Sequence, residues 1–185
     1  MSRLQRLLPL LAIVLSASAA AAQAPASLAP LIASINERLT IADQVALTKW
    51  DSGKPIQDSA REQQVIGNAA KLAPNFGLDN DDVSQFLAAQ IEANKLVQYA
   101  LLAKWHASGS APKTARPDLV NQIRPQLDEL QMRLLKNYAD FTPYRAYPSC
   151  ASWLTKAVKH SGKDPIHQMA LIRATGELCI AKPQA

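Results

Sequence analysis

The chain has little of what most fold classes need. Glycine occurs six times in 185 residues, aromatic residues make up 5%, and β-branched residues are sparse. No stretch alternates apolar and polar residues as a half-buried strand does, and no internal repeat appears, so sheet architectures and repeat arrays are excluded. Charge of one sign is not concentrated either. The formal net charge is +5, from 20 basic and 15 acidic residues, with no long basic run. A nucleic-acid binder gathers its charge into a patch or stripe, so no nucleic-acid partner is expected. There are only two cysteines, Cys150 and Cys179, and neither stands in a C-x-x-C or C-x-x-C-H pattern. Redox catalysis and c-type haem therefore have no support. His106, His160 and His167 lack metal-ligand spacing and read as surface or structural residues, so no metal and no cofactor is expected.

What is present is Ala, Leu, Gln and Lys, a helix-forming set. Hydrophobic residues reach 48%, enough to build a core and to exclude intrinsic disorder. The first residues, Met1 to Arg6, are basic; an apolar run follows from Leu7 to about Ser18, and then a string of alanines. Those are the three parts of a secretory signal peptide. Ala20-Ala21-Ala22 satisfies the small-x-small cleavage rule, which places the cut before Gln23. The apolar run is too short to span a bilayer with margin, so a cleaved leader is expected over the alternative of an uncleaved membrane anchor, and no later stretch is long and apolar enough to span. The expected division is a leader over 1–22 and one helical domain over 23–185. Its mature form, 163 residues after loss of the 22-residue leader, is soluble and exported, to the periplasm or beyond. Loss of Arg3 and Arg6 lowers its formal charge from +5 by two, to +3. In an oxidising compartment the isolated cysteine pair reads as a disulfide. It closes a loop of 30 residues, 150 through 179, for which chain entropy gives roughly 3–4 kcal/mol.

Caps and breakers divide the mature chain into six helical segments. The first runs from about Ser27 to Trp50 and stops at Asp51-Ser52-Gly53. The second starts at Asp58 as N-cap and continues to Leu72; the third follows Asp79-Asn80 and reaches about His106. A Ser/Gly/Pro-rich loop covers 107–117. The fourth covers Asp118 to Phe141, with Pro125 either kinking it or starting its main part. The fifth runs from about Cys150 to His160 and the sixth from Pro165 to Ala181, an antiparallel pair that lets the two cysteines meet. The expected fold is an all-α, single-domain bundle of about six helices.

Polar residues fall where the core should be. Taking Arg38 as zero on the first helix, Leu31 lies at about +20°, Ala42 at about +40°, Ile35 at about +60° and Val45 at about −20°. Lys49 returns to about +20°, so two cations share the apolar stripe. On the third helix, with Asn94 as zero, Leu87, Ile91 and Leu101 lie between about −20° and +60°, and Gln98 falls at about +40° among them. On the second, Val65, Ile66, Ala69, Leu72 and Phe76 centre near Glu62, with Arg61 toward the edge. One such residue alone is ordinarily a long side chain snorkelling to water. Buried charges need partners, and Arg38, Lys49 and Arg61 outnumber Asp58 and Glu62. A cavity with excess positive charge and neutral donors suits a small anionic ligand.

The string Glu37-Arg38-Leu39, then Lys49-Trp50, then Pro55 through Glu62, then Ile91-x-x-Asn94-x-x-x-Gln98-Tyr99, resembles the all-helical chorismate mutases, type II-like in fold. The leader, the added C-terminal helices and Pro148-Ser149-Cys150 with its late partner Cys179 are similar to the secreted subclass. The resemblance implies isomerisation of chorismate to prephenate, a pericyclic step of the shikimate pathway to aromatic amino acids, with no cofactor and a homodimeric assembly. It needs no covalent intermediate and no acid–base step, only a folded substrate and stabilisation of the ether oxygen as the bond breaks. It assigns Arg38 to the side-chain carboxylate, Lys49 to that carboxylate and the ether oxygen, and Gln98 to a second hydrogen bond on the oxygen. Glu62 would accept from the substrate hydroxyl, Asp58 would shape the same end, and Arg61 would stand beside them. Asn94 occupies a position where a hydroxyl residue is more usual; its amide still donates. A last arginine on the fourth helix would grip the ring carboxylate: Arg133, in Gln131-Met132-Arg133-Leu134-Leu135, with Arg124 as its competitor. The alternative is a non-catalytic exported binding protein, or an inactive relative, for a small dicarboxylate. Lys49 and Gln98 argue against it, because they act on the transition-state oxygen.

Overall fold

The computed structural model describes residues 23–159 and 161–180. The leader assigned to 1–22 lies outside the described residues, as do His160 and the chain beyond Ile180. Six α-helices follow in order: α1 Leu28–Ser52, α2 Ser59–Leu72, α3 Asn80–Ser108, α4 Arg124–Phe141, α5 Cys150–Lys159 and α6 Pro165–Thr175. There is no strand among the described residues.

The boundaries follow from local chemistry. Asp58 caps α2 by accepting the Arg61 N–H, and Asp79 caps α3 by accepting from the N–H groups of Asp81 and Asp82. Gly53 ends α1 in the left-handed region, φ 65°, with its N–H on the Lys49 carbonyl. Pro125 starts the regular part of α4 rather than kinking it. Proline has no N–H and crowds the carbonyl four residues back. The turn before it is widened over Leu119–Ile123, with i→i+5 bonds from Ile123 N–H to the Asp118 carbonyl and from Arg124 N–H to Leu119. The sixth helix is shorter than its sequence suggests, ending at Thr175 instead of Ala181. Residues 176–180 turn away because Arg145, from the loop before α5, holds the carbonyls of Glu177 and Leu178. The Ile180 N–H returns to the Arg145 carbonyl. That turn delivers Cys179 to Cys150, and the two are disulfide-bonded with Cα atoms 5.8 Å apart.

The long helices α1 and α3 pack on each other at the centre. Helix α4 covers α1, α2 covers α3, and the α5–α6 hairpin closes the far side against both. Leu31, Ile35 and Leu39 meet Phe86, Leu87, Leu134, Leu135 and Phe141 in the main core. There Phe86 and Tyr138 stack with ring centroids 4.2 Å apart. Two smaller clusters follow α1 toward its end: Ile41 with Ile123 and Leu130, then Ala46 and Leu47 with Trp105. His106 packs on the Trp50 ring, and His167 is buried between Asp43 and Asp164. Both are structural.

Candidate active site

Between α1, α2, α3 and α4 lies a cavity of about 150 Å³. Its polar wall contains Arg38, Lys49, Asp58, Arg61, Glu62, Asn94 and Gln98, so seven of the residues singled out from sequence converge on one space. Val45, Ile56, Val65, Ile91, Leu119 and Leu127 supply apolar surface that orients a ligand by shape.

Arg38 reaches the cavity from the apolar stripe of α1 and is 6% exposed. Its Nε has no hydrogen-bond partner, and burial pulls its pKa down to about 10, with the Asp128 charge opposing. A buried guanidinium with an N–H left unpaired is costly unless something anionic arrives. Three turns on, Lys49 donates from Nζ to the Pro55 carbonyl at 2.7 Å, which aims the ammonium along the α1–α2 loop. Burial lowers its pKa; Lys54 and Arg124 lower it further, while Asp58 opposes.

On α3 the side-chain amides form a ladder. Asn94 Nδ2 donates to the Gln90 carbonyl at 3.0 Å, and Gln98 Nε2 to the Asn94 carbonyl at 3.3 Å. Both are buried. The back-bond fixes which end of the Gln98 amide is the donor and leaves its second N–H for a ligand oxygen. On α2, Arg61 donates to Gln64 and stands 4.0 Å from Asp128. Glu62 is held at both oxygens, by the Asp58 N–H at 3.1 Å and by Lys95 Nζ at 2.8 Å.

Arg133 does not join them. It points to the outer surface, where it pairs with Glu37 at 2.6 Å with its side chain 53% exposed. Arg124 takes the place on the cavity wall. The correction has a simple cause: the two arginines flank the apolar stripe of α4 on opposite sides, and only Arg124 lies on the side facing α2 and α3. Lys95, Asp128 and Gln131 also line the cavity and were not expected there. Gln131 is buried and sits at about +60° from Leu134 on the same helix, the kind of displacement that exposed Gln98. Nothing in the spacing marks Lys95 or Asp128.

The cavity thus carries five cations, Arg38, Lys49, Arg61, Lys95 and Arg124, against Asp58, Glu62 and Asp128. The surplus is two positive charges, suited to a dianion. No cluster of metal-ligating side chains exists among the described residues.

Known proteins resemble this chain in sequence and in fold. Residues 29–99 match the family described as chorismate mutase type II. The secreted chorismate mutase of Mycobacterium tuberculosis is 32% identical over 170 residues, covering 90% of this chain and 85% of that protein. The crystal structure of chorismate mutase from Burkholderia phymatum superposes with a TM-score of 0.82 at 42% identity, covering 84% of this chain and 97% of that one. The secreted chorismate mutase of Yersinia pestis superposes at 0.69 with 25% identity. Extended coverage by the first relative, and a shared fold at substantial identity with the second, make this chain a member of the chorismate mutase family.

Proposed function

We propose that the cavity binds chorismate and converts it to prephenate, in a protein that is exported after cleavage before Gln23. Chorismate carries two carboxylates, and the breaking ether bond loads negative charge on its oxygen. The observation that carries this reading is the surplus of two positive charges around a buried guanidinium with an unpartnered Nε. Arg38 from α1 and Arg124 from α4 receive the two carboxylates and hold the substrate in its reactive, folded conformer. Lys49 and the free N–H of Gln98 meet the ether oxygen, where preorganised donors stabilise charge as it develops. Asn94 and Arg61 support the carboxylates, and Glu62 with Asp58 forms the acceptor end for the substrate hydroxyl. No proton has to move.

The test is direct. Purified protein should deplete the ultraviolet absorbance of chorismate and yield prephenate; a folded, helical protein without that activity would overturn the reading. N-terminal sequencing of the exported protein should begin at Gln23. We further propose that two copies associate, which light scattering checks by mass.

A further inference from the structure

Among the described residues, the shorter of two ion pairs in the cavity wall joins Lys95 to Glu62. Lys95 Nζ lies 2.8 Å from Glu62 Oε2, with the two side chains 20% and 21% exposed. The pair bridges α3 to the first turn of α2, while Glu62 Oε1 accepts the Asp58 N–H. Glu62 shares its cavity with Arg38, Lys49, Arg61 and Arg124. A carboxylate free to change rotamer among such cations would seek them, because opposite charges in a partly desolvated site attract strongly. An anionic ligand would then compete with a carboxylate belonging to the protein itself.

We propose that Lys95 is a positioning residue that sequesters the Glu62 carboxylate at the α2–α3 wall and so keeps Arg38, Lys49 and Arg124 open to the ligand. Two restraints from opposite directions, an ammonium on α3 and a backbone N–H at the start of α2, hold the carboxylate in one place. The neighbouring acid on α3, Glu92, does not take the ammonium, since it pairs with Arg173 of α6. This inference rests on the dianion-binding reading above. It adds that the site guards against an internal anion.

A double-mutant cycle on the full-length protein tests it. Lys95→Met should raise KM for chorismate about tenfold, within the range that coupled neighbours show, and change kcat less. Lys95→Arg should restore KM, because a guanidinium holds a carboxylate equally well. In the Glu62→Gln background, where no internal carboxylate needs holding, Lys95→Met should raise KM severalfold less than in the wild-type background. If Lys95 merely adds positive charge, the two KM effects will be additive and the Glu62→Gln background will not suppress the rise. That result, or failure of Lys95→Arg to rescue, overturns the inference. Should Lys95→Met fail to fold by circular dichroism, Lys95→Gln takes its place in the same cycle. Wild-type protein without chorismate turnover would instead sink the catalytic reading.

Discussion

Arg38 shows most clearly how a residue can serve function at the expense of stability. Its pKa of about 10 in the fold lies below the ordinary arginine value because the charge is buried. A group whose pKa is lowered on folding disfavours the folded state over the pH range in which it stays charged. Arg38→Met should therefore lower kcat/KM by about 10²–10³-fold or more while Tm holds or rises, as enzyme kinetics and thermal circular dichroism will show. Lys49 follows the same sign: burial lowers its pKa, so activity should fall on the alkaline side before an ordinary lysine would titrate. Gln98 donates at every pH. The profile of kcat/KM should then be flat from about pH 5 to 8, between the ordinary ranges of carboxylates and lysine. Gln98→Glu should make it decline with rising pH, because a glutamate must be protonated to donate. A steep wild-type fall between pH 5 and 7 would assign the ether-oxygen contact to another group. Arg124→Ala should cost orders of magnitude in kcat/KM and Arg133→Ala less than about tenfold, the latter losing only a surface pair of the kind worth up to about 1 kcal/mol. Arg38, Lys49, Asn94 and Gln98 were legible in the sequence because each interrupts an apolar stripe. The choice between Arg124 and Arg133 was not. Each lies roughly 90° from the stripe of α4, on opposite sides, and which side faces the cavity is decided by tertiary packing.

At the scale of the element, helix starts were readable and one stop was not. Asp58 and Asp79 write their N-caps into adjacent sequence, and Gly53 and Gly109 write the ends of α1 and α3. The end of α6 is made from a distance instead. Arg145 bonds the carbonyls of Glu177 and Leu178 from more than 30 positions away, 2.9 Å from Asp82 and stacked over Tyr138. No local pattern announces such a clamp. Arg145→Ala should destabilise the protein by about 1–3 kcal/mol, as buried carbonyls and Asp82 lose their partner, measured by denaturant unfolding. Reduction of Cys150–Cys179 should cost roughly 3–4 kcal/mol on the chain-entropy account, with activity persisting at low temperature. The widened turn over 119–123 is a second feature that helical periodicity hides. It holds one residue more than an α-turn would, so a wheel drawn through 118–141 misplaces Leu119 by about 100°. Deleting one residue there should close it to a regular α-turn with Leu119 still facing the cavity, so KM should change little, whereas a further one-residue insertion should rotate Leu119 by about 100° and raise KM.

For the molecule as a whole, the electrostatic surplus belongs to one cavity rather than to a face. Substrate binding should weaken severalfold as salt rises from about 0.1 to 1 M, over which the screening length contracts from about 10 to 3 Å, with kcat little changed. A salt-independent KM would mean that the cavity charges are neutralised before substrate arrives. The disulfide has a topological consequence as well. Every residue lining the cavity lies between Arg38 and Gln131, whereas the covalent loop spans 150 to 179. The crosslink therefore encloses no cavity-lining side chain, and the turn at 161–164 lies inside it. A protease that cuts this turn produces two fragments that cannot part: α6 stays tethered through Cys179 to the segment that builds the cavity. Such a nicked protein should run as one species without reductant, as two with it, and keep its turnover. One bond outside the segment that builds the cavity thus converts a chain break into a tolerable wound.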